Sequence, residues 1–162
     1  PAGDIYNNGL RLRMKYIAPR EEGTHFFWGF NTEWGYATRR VSESYWGMEL
    51  RPIIGYRDDA WLLSFNPILN LNLSSNVSRA PQFEPALKVT HAAGDGIQAG
   101  FEYYGENGPL HQLLPADQSG HALYAVMDIA RGELDVNIGI GHGFSESPDK
   151  WVAKAIIAFP FK

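Results

Sequence analysis

The chain contains no cysteine, which removes disulfides, thiolate metal sites and cysteine nucleophiles together. It has no run approaching 18 consecutive apolar residues, so no segment can cross a membrane as a helix. Cations are in deficit: 14 Lys and Arg against 18 Asp and Glu leave a net charge of -4, which offers no basic field and sets nucleic acid aside as a partner. Pro1 is preceded by no initiator Met and followed by no basic and apolar leader, so any secretion signal is expected to have been removed or never included. Gly and Pro are too few and too scattered for a collagen-like or disordered chain. What remains is 162 residues, 44% of them hydrophobic, enough for one folded domain over 1–162. The mean hydropathy of -0.28 looks soluble, but a barrel strand hides its hydrophobicity in alternation, which must be tested directly.

The apolar residues recur with period two. Segments of strand length at 6–17, 25–37, 46–57, 61–73, 83–90, 97–104, 122–129, 134–142 and 151–161 are separated by stretches rich in the Gly, Pro, Asn, Asp and Ser that turns demand. None carries an i, i+3, i+4, i+7 stripe, and the pattern predicts an all-β chain of about nine antiparallel strands. In the first segment Tyr6, Leu10, Leu12, Met14 and Tyr16 oppose Arg11, Arg13 and Lys15. In the second Trp28, Phe30 and Trp34 oppose Asn31 and Glu33, and in the third Trp46, Met48 and Leu50 oppose Glu49, Arg51 and Arg57. All 13 charges inside the segments fall on the polar face and all five Trp on the apolar one. After the placements that set each strand's phase are discounted, agreement of the rest is roughly a 1 in 500 accident.

Alternation suits both a soluble barrel, apolar inside, and a membrane barrel, apolar outside. Three features favour the membrane. The segments have the length a tilted strand needs to cross hydrocarbon. Aromatic residues gather toward segment ends, with Leu12, Leu50, Ile138 and Ala155 between them, as in girdles around an apolar band. The polar face mixes its charges with Gly29, Gly35, Gly47, Gly55, Gly100, Gly139 and Gly141, which suit a crowded interior and weaken a solvated face. The short connections RDDA, AAGDG and ARGE fall at one end, as periplasmic turns do, and TRRVSES, SSNVSRAPQ and GENGPLHQLLPADQSG at the other. This register puts Lys162 in the periplasm and Pro1 outside. Bacterial barrels usually have even strand numbers, so the odd count predicts an up-and-down transmembrane barrel of 10–12 strands lacking one or more N-terminal strands here.

The stretches ELRPIIGYRDDAWLLSFNPILNLNL (49–73), FEPALKVTHAAGDGIQAGFEYYGENGP (83–109) and HALYAVMDIARGELDVNIGIGHGF resemble a family of uncharacterised proteobacterial outer-membrane β-barrel proteins. The resemblance covers most of the chain and rests on structural motifs. It implies further strands upstream and residence in the outer membrane of a Gram-negative bacterium. The expected partners are membrane lipid and lipopolysaccharide, with a second copy or the upstream strands completing the wall. Phe161 resembles the terminal aromatic read by the barrel-assembly machinery, although Lys162 follows it.

The residues predicted to line the interior are Arg11, Arg13, Lys15, Asn31, Glu33, Glu49, Arg51, Arg57 and Glu102. Pairing across the first hairpins is expected to set Arg11 beside Asn31 and then Arg51, with Glu33 beside Glu49. Such a ring sets ion preference in a pore; mutually paired, the same charges fill a plugged interior. His142 and Ser145 in GHGFSES invite comparison with outer-membrane lipid hydrolases, but His142 lies on the lipid face and no acidic orienter is fixed by spacing. No catalytic residue, metal or cofactor is therefore assigned, and the remaining histidines read as rim or loop residues. Pro52, Pro67 and Pro85 on the apolar face of successive strands predict bulges, strand ends or gaps in pairing. The loop 105–120, with Leu110, Leu113 and Leu114, is expected either as a lid or as a plain surface loop. The leading functional expectation is a porin-like channel for small polar solutes or ions, not an enzyme. A closed structural barrel, a lipid hydrolase and a soluble lipocalin-like carrier are the alternatives.

Overall fold

The computed structural model describes residues 9–38, 43–75, 77–147 and 150–159. Pro1, Tyr6, Phe161 and Lys162, which bear on the upstream strands, the first girdle and the terminal assembly signal, lie outside the described residues.

The alternation becomes nine strands: β1 (Gly9–Ile17), β2 (Phe26–Ala37), β3 (Trp46–Arg57), β4 (Trp61–Asn72), β5 (Gln82–Gly94), β6 (Ile97–Glu106), β7 (Gly120–Arg131), β8 (Leu134–Ser145) and β9 (Trp151–Ala158). Each pairs antiparallel with its neighbours in sequence, giving one up-and-down sheet curled into a half-barrel with no helix among the described residues. Strands β5 and β7 run further than the spacing of turn residues implied because pairing continues into their tight turns, and β8 gains residues 143–145 by pairing with 120–122 at the opposite end. Arg131 pairs directly with Leu134 across Gly132 and Glu133, and the positive φ of 63° at Gly132 is what lets two residues reverse the chain. Gly96 does the same between β5 and β6 with φ 67°. The end holding these turns also holds the β3–β4 turn and the β1–β2 connection; the longest connection, 107–119, lies at the opposite end.

The first hairpin corrects one expectation. Arg11 pairs with Gly35, not Asn31, and it is Lys15 that faces Asn31. The connection between β1 and β2 is longer than a reversal centred on APREEG, since it passes through Gly23 at φ 80° and closes Thr24 N–H on the Glu21 carbonyl. Asn31 opposite Arg51 and Glu33 opposite Glu49 stand as expected.

The prolines interrupt the ladder where the sequence places them. Pro52 and Pro67 occupy the same level of β3 and β4, where pairing skips from Leu50–Leu69 to Ile54–Phe65. Pro67 faces Pro85, and β5–β6 pairing starts one residue later at Ala86–Tyr104. A proline has no N–H to donate, so two facing prolines leave the ladder without its donors. The segment 107–119 lies against the start of β5, with Phe83 N–H donating to the Gly108 carbonyl and Leu110 N–H to the Pro81 carbonyl. None of its residues lines the three cavities described below.

The charged face is the concave one. Lys154 on β9 reaches Glu102 on β6, and Lys88 on β5 reaches Asp128 on β7 at 2.8 Å. Three strands of flat sheet would separate the first pair by about 14 Å, too far for those side chains, so the sheet bends toward them. Ile53, Ile68, Ala86 and Val126 share that face and form the small buried apolar core. Inward glycines make room for rings on the opposing strand: a Cβ at Gly55 would collide with Phe27, and one at Gly141 with Tyr124.

The β3–β4 turn carries a local electrostatic lock. Asp58 accepts hydrogen bonds from the N–H groups of Trp61 at 2.7 Å and Ala60 at 2.8 Å, and from the Tyr56 hydroxyl at 2.9 Å. The Trp61 and Ala60 amides, then the tyrosine, hold the carboxyl below its usual range. A depressed folded-state pKa contributes stability above the unfolded value that is lost as pH falls through the folded one. Asp58→Ala should therefore lower the urea midpoint at pH 7, with the gap to the parent narrowing below pH 4; a pH-independent gap contradicts this account.

Candidate functional site: the charged concave face

The inward residues divide along the strand axis. At the short-turn end, an open cavity of about 480 Å³ is lined by Arg13, Lys15, Arg20, Arg51, Arg57 and Lys88, together with Asn31, Ser64 and Asn66. Among the described residues no carboxylate lines it. At the long-loop end, a cavity of about 400 Å³ is lined by Glu33, Glu49 and Glu84 with Arg11, Asn70, Asn72 and Gln82. A third, of about 620 Å³, lies on the β5–β9 side and mixes Lys15, Arg57 and Lys88 with Asp59, Asp128 and Asp135.

Eight of the nine predicted interior residues line these cavities. Arg13, Lys15, Asn31, Arg51 and Arg57 gather at the cationic end, while Arg11, Glu33 and Glu49 gather at the acidic end. Glu33 and Glu49 face each other directly, a repulsive arrangement in an antiparallel pair. Arginines relieve it: Arg13 holds Glu33, Arg11 approaches it at 3.7 Å, and Arg51 Nε donates to Glu49 at 2.8 Å. Asn70 donates to Glu84.

Glu102, the ninth, is 5% exposed and sits inside a network rather than on a cavity wall. Lys154, Lys88 at 3.1 Å, the Tyr104 hydroxyl at 2.6 Å and Asn137 Nδ2 at 3.3 Å surround its carboxylate. Asn137 also donates to Asp128 at 2.7 Å, so β5 through β9 are laced together on their inner face. Lys154 further lies over the Tyr104 and Tyr124 rings at 5.5 and 5.3 Å. Tyr104, Tyr124 and Asn137 were missed in the sequence. The strand parity that placed Glu102 inward also places Tyr104 inward, so the signal was present.

The convex face is apolar and carries rings in two belts. Tyr16–Trp28, His25–Tyr56 and Trp61–His91 pack at the short-turn end. Tyr36–Trp46, Tyr103–His121 and His142–Trp151 pack at the long-loop end. All five Trp point outward, 44–70% exposed. Trp34 donates its indole N–H to Thr32 at 2.8 Å, and Thr32 donates to the Glu49 carbonyl at 3.0 Å, so these outward polar groups are satisfied within the wall. His142 packs on the convex face between Phe144 and Trp151, while Ser145 takes the opposite register position beside Gly120, and no hydrogen bond joins them. Among the described residues no group of three or more His, Asp or Glu offers a metal site.

The chain matches no family model, no curated protein and no solved structure.

Removing one partner of a buried ion pair leaves the other charge uncompensated, which costs about 3 kcal/mol. Lys154→Met should approach that loss in urea unfolding from detergent micelles. Arg11→Met, whose side chain is 79% exposed, should stay within about 0.5 kcal/mol; equal effects would show that the Glu102 network is not held as described.

Proposed function

We propose that this chain forms the wall of an outer-membrane β-barrel through whose charged interior small polar solutes or ions pass. The observation that carries the reading is the division of the sheet: two aromatic belts bounding an apolar band on the convex face, and nearly balanced charge on the concave one. A soluble monomer does not leave Leu12, Met14, Trp34, Phe101 and Ile140 exposed in one continuous surface. Strands of 12 residues extend about 40 Å and, tilted as in known barrels, span about 30 Å of hydrocarbon. A soluble carrier of lipocalin type would turn the same faces the other way, with its aromatic residues toward the axis.

The full-length protein in planar bilayers should give discrete current steps, and brominated lipid should quench its tryptophan fluorescence strongly. Indoles shielded from brominated lipid would overturn the membrane reading. Quenching without current would instead favour a closed structural barrel, the reading that the Glu102 network supports, since that network ties β5 through β9 together by paired groups on their inner face.

A further inference from the structure

We infer that the cavity at the short-turn end is a binding site for a small anion bearing carboxylate or phosphate groups. The inference deepens the passage reading and rests on it for solute access, though its binding chemistry stands separately.

The cations meeting at this cavity are in two states. Arg13, Arg51 and Lys88 spend their charge on carboxylates that do not line it: Glu33, Glu49, and the pair Glu102 and Asp128. Among the described residues the side chains of Lys15, Arg20 and Arg57 make no hydrogen bond or ion pair. Asp59 lines the neighbouring cavity beside Arg57 without pairing to it, and Asp58 is engaged by its own turn. Three uncompensated cations therefore converge from β1, the β1–β2 connection and β3 on one concavity, whose low-dielectric wall concentrates their field.

A second observation comes from Asn31. It is 4% exposed and lines the cavity, and its Oδ1 has no partner. Buried polar atoms are nearly always hydrogen-bonded, so this one awaits a donor. A turn of the Asn31 amide toward the cavity would let a hydroxyl on the anion, or a water carried with it, supply one. The Asn66 amide N–H adds a neutral donor from β4, its Oδ1 already accepting from the Ser64 hydroxyl at 3.3 Å. The volume suits a small organic or inorganic anion with part of its hydration shell. At the far end of the same face Glu84 has no ion-pair partner, so an anion entering from the short-turn side meets attraction first and repulsion beyond it. That order holds it at the cationic end.

The test uses the full-length protein folded in detergent, with inorganic phosphate and succinate as probes in isothermal titration. At least one should bind, and K15Q combined with R57Q should weaken it by on the order of tenfold. Arg79→Gln, which removes a cation from the β4–β5 connection away from this cavity, should leave the affinity unchanged. Heat-modifiable gel mobility establishes that each variant is folded. Binding of neither probe, or equal weakening by Arg79→Gln, overturns the site. In planar bilayers, silence with retained anion binding sinks the passage reading and leaves the site standing. Current steps that ignore both probes and the double substitution sink the site and leave the passage.

Discussion

A strand sends every second side chain to the same side, and a sheet that curls brings the side chains of one side together. Here the charged side is the one brought together, and much of the interior follows from that. Glu102 cannot remain charged in so enclosed a position unless cations reach it, and they come from β5 on one side and β9 on the other. Gly55 and Gly141 are needed where Phe27 and Tyr124 turn inward, because a curled face has less room than a flat one. Glu33 and Glu49 can face each other only because arginines on β1 and β3 divide their charge.

The same curl spreads the apolar side apart. Its rings meet one another only near the strand ends, and between the belts the surface is apolar, mixing aliphatic residues with isolated rings such as Phe65 and Phe101. Polar groups on that side are few, and those of Trp34 and Thr32 are paired within the wall. The wall has one weak level, where Pro52 and Pro67 remove donors from the β3–β4 ladder. It survives because pairing resumes on both sides of the gap, at Leu50–Leu69 and Ile54–Phe65.

Strand existence and facing were legible because both depend on a period of two, which a single sequence displays directly. Every predicted interior residue, from Arg11 to Glu102, faces inward, and every Trp faces outward. Strand ends were less legible, since AAGDG reads as a turn yet β5 continues through its Gly94. The first hairpin's register was misread because its connection is not a tight turn and the residue types alone do not locate its centre.

By itself, then, the sequence determined that there are about nine strands, that they are two-faced, and which residues belong to each face, because alternation is a local property of an extended chain. Only the tertiary structure decided which face is concave and which partners meet across it. Lys154 and Glu102 are 52 residues and three strands apart, and only the bend of the sheet brings them into contact.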